Sequence, residues 1–463
     1  MRLLILLLLL AGCRTLAPEP PAGPTLPTAF RFETGGLATS DQWWRDLQSP
    51  VLDSLMDEAL RSAPDIRTAR ARLDQAQAAA AKTGAALWPQ LDAGADAARS
   101  WTKTKARNVV EADAYGLGLA ASYELDLWGR VRSLRQADLL AARASAEDLR
   151  TAVLSLSGEI AQAWISLCSA RQQLTILRQQ QRTNADILST LERRFSNSLA
   201  SALDVLQQRE AMAENEARIV PLEAETVRLE NRLHLLLGKA PGSVDLSSAA
   251  ALPDAMPLPA AGIPADLLRE RPDIRAGWHR LLESGWNVAA AEADRLPALR
   301  LTGRFEQDGP DIERIFDNWL ANLAASLTAP ILDGGARKAE VQRQTAVREE
   351  RLAAYEKTVF TALSEVDTAV SDVARQFELL RALAAQRELS RAALASARIR
   401  YQNGVIAYDT VLSLLLKLQQ LDRSLTQEQA SLLILQTGLC RSLGKGWRTA
   451  FPDSAPTLTT EGS

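Results

Sequence analysis

The chain has 463 residues, 24% of them charged, and a formal net charge of −3, so it can hold two or three ordinary domains and has no basic excess that would point to nucleic acid. Its two histidines, His234 and His279, are scattered and sit beside no Cys/Asp/Glu cluster, which argues against a histidine-built metal site. Only four methionines weigh against a methionine-lined path for copper or silver.

Met1-Arg2, the apolar run Leu3 to Leu10 and then Ala11-Gly12-Cys13 form a secretory signal over residues 1–12, too short to span a bilayer. Its end resembles a bacterial lipobox, where cleavage leaves Cys13 as an acylated N-terminus. An ordinary signal with an incidental cysteine is the alternative, but the cysteine stands at the cleavage point itself. Arg14 follows it, rather than the aspartate that often signals inner-membrane retention. Cys168 and Cys440 lie in helical patterns and do not correspond under the internal repeat below, so both are read as unpaired core residues, a disulfide between them being the alternative. Residues 13–50 form a lipid anchor and tether, extended by Pro18, Pro20, Pro21, Pro24 and Pro27.

A helix is predicted from Pro50 to about Leu87, stopped by Pro89. A strand of weak alternation, Leu91 to Trp101, and a polar loop, Thr102 to Ala114, come next. From Gly116, Leu117, Leu119, Ala121, Tyr123, Leu125 and Leu127 alternate with small or polar residues, the mark of a strand with one wet and one dry face. From Leu149 to Phe195 the apolar positions step by four and three, interrupted only at Gln181 and Asn184. A helix from about Gly129 to Phe195 is on the order of 100 Å long, too long for a compact globular domain. The turn Asn197-Ser198 leads into a second long helix, 202–237, which Pro221 should kink and Gly238 caps.

The series then repeats. Ala63-Pro64-Asp65-Ile66-Arg67 returns as Arg271-Pro272-Asp273-Ile274-Arg275, 208 residues on, and Leu237-Gly238-Lys239 returns as Leu443-Gly444-Lys445, 206 residues on. The register slips by two only between Leu91 and Tyr123, a loop of different length inside a duplicated unit. In the second copy Leu299, Leu301, Gly303 and Phe305 alternate with Arg300, Thr302, Arg304 and Glu306. Trp319 to Thr328 alternates likewise, and Val359, Val366, Val373, Leu380, Leu394 and Tyr401 carry the heptads up to the turn Asn403-Gly404. The organisation expected is therefore 51–240 as first repeat, 241–262 as linker, 263–445 as second repeat and 446–463 as a loose C-terminal tail. Gly35-Gly36 and Gly334-Gly335 are read as turn glycines.

Strands of this length suit an outer membrane, and Trp101, Tyr115 and Trp319 by the loops, with Trp88 and Trp128 at the other end, suit its interfaces. Four strands cannot close a barrel, and an open sheet edge cannot face lipid. Membrane strands would therefore be completed by other subunits; a soluble hairpin packed on helices is the alternative.

Trp43-Trp44-Arg45-Asp46, the two helix starts at Pro64-Asp65 and Pro272-Asp273, Tyr123-Glu124-Leu125-Asp126-Leu127-Trp128-Gly129-Arg130, Pro330-Ile331-Leu332-Asp333-Gly334-Gly335 and Arg400-Tyr401-Gln402-Asn403-Gly404 occur in an order and spacing that resemble the TolC-type outer-membrane efflux factors, in particular their lipoprotein, OprM-like branch. The resemblance implies a mainly α protein with a small β part and an internal two-fold repeat. As a homotrimer it would form a 12-stranded barrel in outer-membrane lipid and an α-helical periplasmic tunnel. It further implies docking on a periplasmic adaptor and an inner-membrane RND pump through the hairpin tips Asn197, Ser198, Asn403 and Gly404. The product is a passive exit duct for drugs or other small molecules, with no catalysis and no cofactor. The family's pore-narrowing carboxylate is missing at Ser413, and Asp409, one turn earlier, is the substitute expected, its alternative role being a helix-start acid. A type I secretion duct and a lipid-anchored periplasmic scaffold without a pore are the competing functions; no nucleophile–base set, phosphate loop or metal cluster supports an enzyme.

Overall fold

The structure, a computed structural model, describes residues 18–32, 41–103, 105, 109–247, 251–256, 260 and 262–447. The signal peptide, Cys13, Gly35-Gly36 and all but the first two residues of the expected tail lie outside these described residues. A 3-10 helix (Trp43–Leu47) is followed by α1 (Pro50–Ser62), α2 (Pro64–Ala85), β1 (Gln90–Thr102), β2 (Val110–Leu125), α3 (Arg130–Ser196) and α4 (Ala202–Leu236). After the linker come α5 (Leu267–Glu270), α6 (Pro272–Ala293), β3 (Ala298–Gly309), β4 (Trp319–Thr328), α7 (Ala336–Gln402) and α8 (Tyr408–Ser442).

The duplication is visible in the element lengths. α2 and α6 have 22 residues each, α3 and α7 have 67, and α4 and α8 have 35. The hairpins differ, with strands of 13 and 16 residues in the first and 12 and 10 in the second, and so do the short helices before each copy's 22-residue helix, 13 residues in α1 and 4 in α5.

The same local chemistry builds both copies. At each strand-to-helix switch an aspartate accepts the first free N–H groups of the helix. Asp126 takes those of Val131 (3.1 Å) and Arg132 (2.9 Å), and Asp333 those of Gly335 (2.9 Å) and Arg337 (3.3 Å). The Arg337 and Gly335 amides hold the Asp333 carboxyl below the usual carboxylate range. At the far ends, Ser198 and Gly404 have positive φ (59° and 71°), and the next amide bonds back five residues, Leu199 to Arg194 and Val405 to Arg400, each at 2.8 Å. Gly238 and Gly444 close α4 and α8 in the same way.

Three expectations need correction. The single helix expected over Pro50–Leu87 is two, because Pro64 drives Ala63 out of the helical region to ψ 139°. β2 begins at Val110, inside the expected loop. Phe195, expected on the heptad seam, is exposed, whereas Val153, Ile160 and Leu167 are fully buried.

By contacts the chain divides into two compact units: residues 1–24, 71–147 and 275–358, and residues 25–70, 148–274 and 359–463. The first holds one antiparallel sheet in the order β1-β2-β3-β4. The second holds the coiled-coil packing and a tryptophan core. Trp43 and Trp44 meet edge to face at 5.7 Å, and the Gly446 amide bonds the Asp41 carboxylate at 3.1 Å. Trp447 is buried under Arg150 and donates to the Glu270 carbonyl at 3.0 Å, so the first two residues of the expected tail are packed rather than loose. Cys168 and Cys440 are free and buried, and burial pushes both thiols up to about 12.

Gly444 has no room for a side chain: a Cβ would lie 2.8 Å from the Glu270 carbonyl oxygen, whereas one on Gly242, also at positive φ, meets nothing within 4 Å. Gly242→Ala should therefore cost only the left-handed penalty, about 1–2 kcal/mol. Gly444→Ala should cost clearly more, because the Glu270 backbone must move. Thermal denaturation of the two variants in detergent checks the order; equal losses would refute the contact.

Candidate functional site

Cross-strand register sorts the sheet's side chains into two faces. β2 Leu119 pairs with Phe305, Ala121 with Gly303 and Tyr123 with Leu301, while β3 Leu299 and Leu301 pair with Leu327 and Ala325 of β4. Since strand side chains alternate, all of these lie on one face. The other face carries Asp92, Asp96, Glu124, Arg300, Thr302, Arg304, Glu306, Asp308, Asn322 and Ser326. Arg300 pairs with Glu124 (3.6 Å) and Arg304 with Glu306, leaving Asp92, Asp96 and Asp308 as an acidic excess on this wet face.

The dry face is not covered by protein. Leu323 is 92% exposed, Leu327 68% and Ile331, just past β4, 94%. In water each such side chain forgoes about 1.5–3 kcal/mol of burial. The band has an upper limit that explains the misplaced start of β2. Beyond Tyr115 the polarity changes phase, so Asp113 and Glu111 stand on the same face as Leu117, and Asp113 forms a two-pronged ion pair with Arg99 of β1 at 2.6 and 2.8 Å. From Tyr115 to Leu125, at about 3.4 Å per residue and a tilt of about 45°, the apolar band is about 25 Å high, the height of an outer-membrane barrel girdle. Trp319, stacked on Phe305 with ring centroids 6.2 Å apart, stands near its loop end. Trp128, which donates to the Pro297 carbonyl at 2.7 Å, stands at the helix end.

In the second unit the expected gate and docking residues fall near the helix-turn ends. Asn197, Ser198, Asn403 and Gly404 are exposed in the two turns, flanked by exposed Phe195, Leu199, Leu203 and Val405. Asp409 is exposed in the first turn of α8, where its carboxylate accepts from the Thr410 amide (2.6 Å) and hydroxyl (3.3 Å). Ser413 is exposed one turn on, and Lys417 one turn further, so the stripe that begins at Asp409 also carries a cation. Ser413 and Lys417 line a groove with Glu214 and Arg218 of α4.

Behind this stripe the heptad interruptions have a purpose. Asn184 is fully buried; its carbonyl accepts from Gln208 of α4 (2.8 Å), and its side-chain oxygen accepts from Gln419 of α8 (3.0 Å). Tyr408, its phenol pushed up by burial, donates to Gln208 at 2.7 Å. Gln180 bonds the Gln419 carbonyl, and Arg423 bonds Gln180. On the apolar side Leu191, Val205, Leu394, Val411 and Leu415 form one cluster. Among the described residues no group of His, Cys, Asp and Glu could hold a metal ion, and no helix is long and apolar enough to cross a membrane.

The profile of a family described as outer membrane efflux protein matches residues 55–239 and 263–445. The chain belongs to that family. It is 32% identical to the pyoverdine export outer membrane protein OpmQ of Pseudomonas putida, over 97% of this chain and 98% of that one. It is likewise 32% identical to the outer membrane protein OprJ of Pseudomonas aeruginosa, over 96% and 95%. The solved outer-membrane channel OprN superposes with a TM-score of 0.87 at 28% identity, covering 94% of this chain and all of that one. The protein is thus an outer-membrane efflux channel protein, as the resemblance in its sequence implied, and the two-faced sheet is its membrane part.

Leu323 and Asn322 are neighbours on β4 but face opposite ways. Leu323→Arg should destabilise the refolded protein by about 2–4 kcal/mol, as expected for arginine at the lipid midplane, and Asn322→Arg by little. Denaturant titration in lipid vesicles tests this, and equal tolerance at both positions would contradict the membrane assignment.

Proposed function

We propose that three copies of this chain close a 12-stranded barrel, continued by a helical tunnel into the periplasm, and that the assembly is a passive exit duct for small organic molecules. The observation that carries this is the four-stranded sheet, with one apolar face and one charged face and with the outer edges of β1 and β4 unpaired among the described residues. In lipid an unpaired edge leaves backbone N–H and C=O groups without partners, so another copy's edge must complete it. The acidic excess of Asp92, Asp96 and Asp308 then faces water inside the barrel. Relatives named for export of pyoverdine, toluene and antibiotics support small organic cargo.

The duct performs no catalysis. Transport is driven by an inner-membrane pump and reaches the duct through a periplasmic adaptor, and the exposed apolar tips around Asn197-Ser198 and Asn403-Gly404 are its docking points. The repeats 51–240 and 263–445 supply alternating wall segments. Cysteine pairs placed across the outer edges of β1 and β4 test the assembly: a covalent trimer on oxidation is expected, and dimers or monomers only would overturn it.

Cys13 carries the lipid of the mature N-terminus. Intact mass spectrometry of the purified protein should show an acyl mass on a chain beginning at Cys13; an unmodified cysteine, or cleavage elsewhere, would refute this.

Asp409 and Ser413 narrow the periplasmic entrance, three copies of Asp409 forming a ring that attracts cations. Asp409→Asn should weaken block by divalent cations in planar-bilayer recordings while leaving the trimer intact, and Lys417→Ala should strengthen it by removing an opposing charge from the same stripe. Block unchanged in Asp409→Asn would return Asp409 to a helix-start acid bonded to Thr410.

A further inference from the structure

The apolar face of the sheet is not evenly convex. It holds a dent of about 450 Å³ whose floor is Gly303, Ala121 and Ala325 and whose rim is Tyr123, Leu301 and Leu323. Gly303 makes the dent, because it lies between Ala121 on one neighbouring strand and Leu323 on the other. A Cβ there would stand 3.7 Å from the Ala121 methyl and 3.2 Å from Leu323 Cδ2. The hydroxyls of Ser122 and Thr302 point to the opposite face by strand alternation, so the floor offers water no partner. A space of this kind takes an alkyl chain.

We propose that this dent seats an acyl chain of the lipid carried by Cys13. The proposal rests on the reading of Cys13 as acylated. The described chain begins at Pro18, which packs on Gly285 of α6: a Cβ on that glycine would be 3.3 Å from Pro18 Cβ. The next residue is held too, since Arg348 donates to the Glu19 carbonyl at 3.0 Å. α6 runs on from Gly285 to Ala293 and feeds directly into β3, the strand that carries Gly303.

The reach is sufficient. At about 1.5 Å per residue the helix rises about 12 Å from Gly285 to its end, and the link to Ala298 adds about 10 Å. The five residues Cys13 to Ala17, extended, span about 17 Å. Cys13 therefore ends about 5 Å short of the foot of β3, a gap that the thioether-linked glycerol of the lipid bridges. Gly303 lies five residues up that strand, about 13 Å above its foot once tilt is included, within the length of an ordinary fatty acyl chain. A tethered chain fixed at this foot has a high local concentration at this dent. A second copy of the protein joins at the strand edges and leaves the face open.

The test uses the full chain expressed in a Gram-negative host fed a diazirine-bearing fatty acid, with membranes irradiated before purification. Intact mass is read first: no acyl mass on Cys13 refutes the acylation itself and the seat with it. With acylation present, the expected product is an internal cross-link, the lipid-bearing N-terminal peptide joined to the peptide holding Leu301–Phe305 or Leu323–Ala325. This product should be lost in Gly303→Leu, which fills the dent while keeping the face apolar and leaves the acyl mass unchanged. Phospholipid adducts at these residues without the internal cross-link would make bulk lipid the occupant. Internal cross-links scattered over the sheet, or unaffected by Gly303→Leu, would likewise overturn the proposal.

Discussion

A strand edge cannot be left open in hydrocarbon, and the rest of this structure follows from that constraint. A single chain supplies four strands with a dry and a wet face, and neither β1 nor β4 has an outer partner among the described residues. The sheet is therefore not a finished object but a segment of one. Its dry face gains nothing from water, and its wet face carries ion pairs and unpaired carboxylates that gain nothing from lipid. Only an arrangement that puts each face in its own medium and each edge against another edge satisfies both.

The duplication fits the same demand. A wall assembled from identical copies needs staves of equal length, and the matched helices agree to the residue at 22, 67 and 35. The copies differ in the hairpin strands and in the short helices α1 and α5 instead. The aspartate caps at Asp126 and Asp333 stand where lipid-facing strand becomes water-facing helix. Each supplies carboxylate oxygens to the helix's first N–H groups at the point where strand pairing ceases to do so.

Much of this is written in local periodicity. Period two with a dry parity, held from Leu117 to Leu125 and from Leu299 to Phe305, was enough to find the sheet and orient its faces. The start of β2 is hidden because Asp113 and Glu111 invert that parity, and what holds Asp113 on the strand is Arg99, a cross-strand partner on β1. The break at Ala63 was legible, since Pro64 is itself the signal, but the helical pattern on either side concealed it. Gln181 and Asn184 could be recognised as interruptions. Their partners could not, because Gln419 lies 235 residues from Asn184, and periodicity carries no information over that distance. Lys417 carries no sequence signal of its own, since a lysine two turns into a helix is as common on a solvated face as on a pore-facing one.

The contacts of Gly446 and Trp447 bear on when this protein can fold. Gly446 bonds an aspartate 405 residues earlier, and Trp447 bonds a carbonyl 177 residues earlier. The tryptophan core of the second unit is thus incomplete until Trp447 has been made. Pairing of β2 with β3 likewise joins segments of the two separate repeats. Long-range closures of this kind are slow. For a polypeptide that must be exported through a narrow translocon as an open thread, delay is useful: the greasy side of the sheet forms late, after the chain has left the compartment in which it would aggregate.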